Sequence, residues 1–132
     1  MSTGTTDYSW PVVTKSMEAA VMSQLKESIS IYDRSGSIAQ LEDRFREYYG
    51  CKYAVATNAG TTALWSLYVG SGIGPGDEVI CQTYTFFATA SPIFFTGAVP
   101  VLTDCDESGN IDPREIARHI TPRTKAIVVT HM

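Results

Sequence analysis

The chain has 132 residues, enough for one domain with a real core, and its 44% hydrophobic and 18% charged content suits a folded globular protein. A net charge of −4 with no basic cluster argues against a nucleic-acid surface. No apolar run approaches a membrane span, and the first residues lack the basic-then-apolar pattern of a secretion signal, so a cytoplasmic protein with no membrane role is expected.

Residues 1–8 are polar and rich in Thr and Ser, and read as a flexible arm. From Trp10-Pro11 the chain turns apolar, and Met17, Ala20, Val21, Gln24, Leu25 and Ser28 share one helical face. Arg34-Ser35-Gly36-Ser37 breaks that helix. Ser37 followed by Gln40 has capping-box spacing, and Ile38, Leu41, Phe45 and Tyr48 form the apolar stripe of a second helix that Gly50 is placed to end. Residues 9–50 thus read as an N-terminal helical segment.

From residue 51 onward the pattern alternates. Tyr53–Thr57 reads as a buried strand, and Leu64, Leu67 and Tyr68 continue beyond it at helical spacing. Gly70 to Asp77, with four glycines and a proline, is a tight turn. It mimics a GxGxxG, but it follows a helix and feeds the strand Glu78–Cys81, whereas a dinucleotide loop does the opposite. A helix is expected from Tyr84 to about Thr96, and a strand over Val99–Thr103. Asp112-Pro113-Arg114-Glu115 starts a helix that ends near His119, and Lys125–Thr130 is a last, β-branched strand. Alternation of this kind predicts an α/β, three-layer αβα fold with a mostly parallel sheet and right-handed crossovers. Ligands in such sheets collect at the carboxyl ends of the strands.

One junction there carries chemistry. Asn58-Ala59-Gly60-Thr61-Thr62 lies where a strand gives way to a helix, so the first backbone N–H groups of that helix lack intrahelical partners. With the positive end of the helix dipole they make an anion site, to which the Thr61 and Thr62 hydroxyls can add donors and which Gly60 leaves open to close approach. A phosphate would fit, and so would an ordinary βα turn capped by threonine; the stretch alone leaves both open. Residues Asp104 to Glu115 also match the spacing of a calcium-binding loop. The strand on its entry side and the helix start at Asp112 favour a solvated turn instead. Cys51, Cys81 and Cys105 are odd in number with no CxxC spacing and read as reduced, buried thiols. Two histidines, His119 and His131, do not suffice for a multi-histidine metal centre.

These pieces together carry a resemblance. Leu41-Glu42 with Phe45, Ala59-Gly60-Thr61-Thr62-Ala63-Leu64, Gly72-Ile73-Gly74-Pro75-Gly76-Asp77-Glu78-Val79-Ile80 and Tyr84-Thr85-Phe86 are its first half. Gly97-Ala98-Val99-Pro100-Val101, Asn110-Ile111-Asp112-Pro113 and Ile120 to Ile127 complete it, over about two-thirds of the chain. In this order and spacing they resemble the N-terminal part of the fold-type-I, pyridoxal phosphate (PLP) sugar aminotransferases of the DegT/StrS type. Residues 51–132 would then be the βαβ part of the PLP-binding large domain, left incomplete.

The resemblance implies that Gly60, Thr61 and Thr62 hold the PLP phosphate and that Phe86 stacks on the pyridine ring. It implies, more weakly, that Trp10, Ser35 and Gly36 line the substrate side. Gln82 stands where the family has a proline, a departure expected to alter only the local turn. The chemistry also needs a Schiff-base lysine and an acidic partner for the ring nitrogen. None of Lys15, Lys26, Lys52 and Lys125 matches the family's lysine. A complementary C-terminal-half polypeptide carrying the Lys and Asp is therefore the expected partner, in a higher oligomer with its active site at an interface. A last strand that ends the chain uncovered fits either a truncated piece or one half of a two-chain enzyme, and the poor solubility expected of a bare truncation favours the second. The reaction implied is amino transfer to a small-molecule substrate, a keto-sugar or keto-cyclitol. Other PLP chemistry such as sugar dehydration, or a non-catalytic interaction protein, are the alternatives.

Overall fold

A computed structural model describes residues 10–27 and 34–131. The polar arm and Ser28 lie outside the described residues. The chain divides into two compact units, Met1–Ala56 and Thr57–Met132.

The first unit holds α1 (Lys15–Gln24) and α2 (Gly36–Tyr49). Thr14 caps α1, its hydroxyl accepting from Met17 N–H at 3.3 Å. Ser37 is not the cap of α2, as its spacing suggests. The helix starts one residue earlier at Gly36, with Ser35 as N-cap. Ser37 is otherwise engaged: its N–H and its hydroxyl both donate to Gln24 Oε1, at 2.9 and 2.7 Å. Gly50 ends α2 as expected, in a left-handed conformation (φ 64°). The predicted stripe of α2 is exposed at Ile38, Leu41, Phe45 and Tyr48, and Ala39 is the buried residue of that helix.

No strand forms at Tyr53–Thr57. A strand needs a neighbour to take its backbone hydrogen bonds. Here Ala56 N–H donates to the Glu42 carboxylate at 2.9 Å instead, and Tyr53 and Val55 are exposed. Cys51 is exposed as well, Cys105 is half-buried, and only Cys81 is the buried thiol expected of all three. Burial pushes its thiol pKa up, which keeps it inert.

The second unit contains α3 (Gly60–Gly70), β1 (Glu78–Gln82), α4 (Ser91–Phe95), β2 (Val99–Thr103), α5 (Pro113–His119) and β3 (Thr124–Val128). The strands form one parallel sheet in the order β2-β1-β3, with Ile80 paired to Val101 on one side and to Ile127 on the other. β1 is central and buried along its whole length. The crossover β1-α4-β2 runs to one side of β1, and β2-α5-β3 returns across it. With right-handed connections, that reversal puts α4 and α5 on opposite faces of the sheet. One face carries the core of Tyr68, Ile73, Val79, Cys81, Ile93 and Ala98, supplied by α3, β1 and α4 and the segments beside them.

The helix expected from Tyr84 to Thr96 is broken. Phe86 is extended (φ −64°, ψ 137°), Phe87–Thr89 form a single 3-10 turn, and α4 begins afresh at Ser91. Pro92 has no N–H for an i−4 carbonyl, so it suits the first turn of a new helix and not the interior of a longer one. Gly97 turns the chain into β2 with φ 82°, where a Cβ would come within 2.9 Å of the Pro75 ring. Asp112 caps α5 by accepting from Arg114 N–H at 2.8 Å, with Pro113 at the first helical position.

Before α5, Cys105 and Ile111 form an isolated antiparallel bridge. Asp106 Oδ1 closes that turn by accepting from Ser108 N–H (2.8 Å), Ser108 Oγ (2.5 Å) and Asn110 N–H (3.2 Å). Among the described residues, no three His, Cys, Asp or Glu side chains are grouped to hold a metal ion.

Buried Glu78 opens β1 and binds the loop before β3, accepting from Thr121 Oγ1 at 2.5 Å and pairing with Arg123. The Thr121 hydroxyl, and then Arg123, hold its carboxyl below the usual range against the opposing pull of burial. Asp106 is lowered by Ser108, and Asp112 by Arg114. A depressed folded-state pKa stabilises the fold above the unfolded value and loses that contribution as the pH falls through the folded one. Stability is thus expected to hold from neutral pH down to about 4 and then to drop. Glu78→Gln should lower the neutral plateau and flatten the acid slope in urea midpoints measured against pH. A wild-type midpoint unchanged between pH 5 and 3 would contradict this.

Candidate active site at the carboxyl edge of the sheet

The strand order marks one edge of the sheet as a candidate site. In β2-β1-β3 the chain reverses direction at β1, so the switch point lies between the carboxyl ends of β1 and β3. In open parallel sheets ligands collect at the carboxyl ends of the strands beside such a reversal.

Phe86 leaves β1 there. Four residues past Gln82, it is 67% exposed, with its ring against Phe87 at 4.3 Å between centroids. The 3-10 turn after it is tied to α3, since the buried Tyr68 hydroxyl donates to Thr89 O at 3.2 Å. Burial raises the pKa of that phenol, so it serves as a neutral donor.

α3 opens with Ala59 as N-cap, and its first helical bond is Ala63 N–H to Ala59 O at 3.0 Å. The N–H groups of Gly60, Thr61 and Thr62 therefore stand ahead of the helical ladder, without an acceptor among the described residues. The hydroxyls of Thr61 and Thr62 are also unengaged there, and both residues are half-buried. A cavity of about 330 Å³ lies against them, lined by Thr61, Thr62, Trp65 and Phe95. Gly60 is helical, and a Cβ on it would meet no atom within 4 Å. The fold therefore does not require glycine at this position. Its missing side chain leaves the start of α3 open, at the positive end of an 11-residue helix. Donors, dipole and open space suit a phosphate group.

Gln82 opens one of the stretches expected at this edge, and sequence reasoning assigns it no more than an effect on the local turn. It is 0% exposed, and its amide joins the segments after all three strands. Nε2 donates to Tyr84 O (2.9 Å) after β1 and to Gly109 O (3.1 Å) after β2; Oε1 accepts from Thr130 N–H (3.1 Å) after β3. The reach of Gln82 is therefore not confined to a local turn. Beside it, the Thr85 hydroxyl meets Thr89 Oγ1 at 2.9 Å and Thr130 Oγ1 at 3.0 Å. The one sequence signal was a polar side chain closing the apolar run of a central strand.

The residues expected on the substrate side belong to the first unit. Trp10 is 91% exposed, Ser35 is the N-cap of α2, and Gly36 has φ 83° with Gln24 Oε1 3.1 Å from where its Cβ would be. Among the described residues, no helix is long and apolar enough to cross a membrane.

GDP-perosamine synthase from Caulobacter vibrioides is 47% identical over 96 residues, covering 72% of this chain and 26% of its own. UDP-2-acetamido-2-deoxy-3-oxo-D-glucuronate aminotransferase from Pseudomonas aeruginosa is 37% identical over 121 residues, 86% of this chain and 34% of its own. The crystal structure of NtdA from Bacillus subtilis with bound cofactor PMP superposes with a TM-score of 0.74 at 31% identity, over 89% of this chain and 28% of that one. The chain thus spans between about a quarter and a third of the length of the proteins it matches. The family model for DegT/DnrJ/EryC1/StrS aminotransferases matches residues 14–132, and the chain belongs to that family.

Proposed function

We propose that residues 57–132 form the phosphate- and ring-facing part of a PLP site, in an enzyme that transfers an amino group to a keto-sugar or keto-cyclitol. The observation that carries this is the open start of α3: three N–H groups and two hydroxyls without partners among the described residues, and the space left by Gly60. These atoms hold the cofactor phosphate and fix where the ring lies. The exposed face of Phe86 covers the ring and excludes water from it. When bound, the cofactor supplies the electron sink for amino transfer. The carbonyl-bearing sugar is supported by the oxo-sugar substrate that names the Pseudomonas relative.

Lys125 is the second residue of β3, at the amino end of the sheet and away from the site edge. Lys15, Lys26 and Lys52 belong to the first unit. The lysine and the acidic partner of the ring nitrogen come, in this reading, from a complementary cytoplasmic polypeptide, and the active site lies at the interface. The test is purification of the tagged chain from its native host, then borohydride reduction and peptide mapping. A visible absorbance band lost on reduction, with the pyridoxyl group on a lysine of a second polypeptide, is the expected result. A colourless chain without a companion, or a label on Lys52 or Lys125, would overturn the proposal.

A further inference from the structure

We infer that Gln82 is a positioning residue for the ring side of this site, acting with Thr85 on the segment that presents Phe86. The inference rests on the PLP reading above and goes beyond it. Three observations converge. Gln82 has no exposure, and each of its three hydrogen bonds ends on a backbone atom of a different strand-end segment. The donor bond to Tyr84 O fixes the chain two residues before Phe86. The Thr85 hydroxyl, adjacent to Phe86, is held between Thr89 and Thr130. Thr130 is in turn the residue whose N–H Gln82 accepts, so the two side chains form one network across the switch point.

Phe86 itself is extended and mostly exposed, and has little packing of its own to fix its direction. Its ring orientation is therefore set by the backbone on either side, which the network holds before and the 3-10 turn holds after. The phosphate donors are on α3 and have no hydrogen bond to Gln82 or Thr85. Loss of the network should therefore affect the ring contact and spare the phosphate contact.

The experiment uses the protein as purified with any companion chain, stripped of cofactor, and measures dissociation constants for PLP and for inorganic phosphate. Gln82→Leu removes all three bonds at similar volume; Thr85→Val is near-isosteric and tests the network where Gln82→Leu does not fold. Each is expected to weaken PLP binding about fivefold, the scale of one aromatic stacking contact, with phosphate binding unchanged. In a Phe86→Leu background neither should weaken PLP further, which a merely structural role would not predict. PLP binding equal to wild type, equal loss of PLP and phosphate, or full additivity with Phe86→Leu would each overturn the inference. Wild-type protein that binds neither ligand would overturn the PLP reading itself.

Discussion

Gly60→Asp is expected to abolish cofactor retention while leaving the fold as stable as before or slightly more so. A side chain at Gly60 meets nothing within 4 Å, and its backbone is already helical. A carboxylate in the first turn also interacts favourably with the helix dipole, by about 0.3–1 kcal/mol. The same carboxylate occupies the space over the N–H groups of Gly60, Thr61 and Thr62 and faces an incoming phosphate dianion. At about 5 Å and an effective dielectric constant near 20, one pair of unit charges repels by about 3 kcal/mol. A loss of at least about 100-fold in PLP affinity follows. Equilibrium titration and the thermal midpoint, measured on the same preparation, separate the two effects. A variant that loses affinity only because it unfolds, or one that binds PLP normally, would count against the site.

The second large effect is on stability. Ile93 is 0% exposed and sits in the five-residue helix α4, packed into the cluster of Tyr68, Ile73, Val79, Cys81 and Ala98. Ile93→Ala removes that contact and leaves a cavity between α4 and the central strand. The expected cost is about 2–5 kcal/mol, against a total stability of about 5–15 kcal/mol for an ordinary domain. The urea midpoint should fall sharply with an unchanged slope. A shift of under about 1 kcal/mol would mean that this face of the sheet is not the core.

Much of this was legible from local signals. Val99–Thr103 is the strand its residues describe, and Asp112-Pro113 sets the start of α5 through a cap bond made within two residues. The free donors at Gly60 to Thr62 follow from the fact that a helix begins there, which Ala59-Gly60-Thr61-Thr62 and the spacing of Leu64 and Tyr68 indicate. What failed depended on distant partners. Tyr53–Thr57 has the composition of a strand but no neighbouring strand among the described residues, and composition cannot supply one. The break between Phe86 and Ser91 was masked by apolar residues on both sides of Pro92. Gln82 was the deepest omission. Its partners are backbone atoms of Tyr84, Gly109 and Thr130, the last 48 residues away, and a backbone acceptor or donor leaves no mark in the sequence. The reversal of direction at β1 that brings those atoms together is a property of strand order.

The most direct test of the central claim is a PLP titration of the purified protein with its chain ¹⁵N-labelled, following backbone amide signals. The three N–H groups ahead of the α3 ladder, on Gly60, Thr61 and Thr62, should shift most, and inorganic phosphate should move the same three signals. Phe86 and its neighbours should respond to PLP and not to phosphate. If PLP binds while those three amides stay where they were, the phosphate is held elsewhere and the proposed site is wrong.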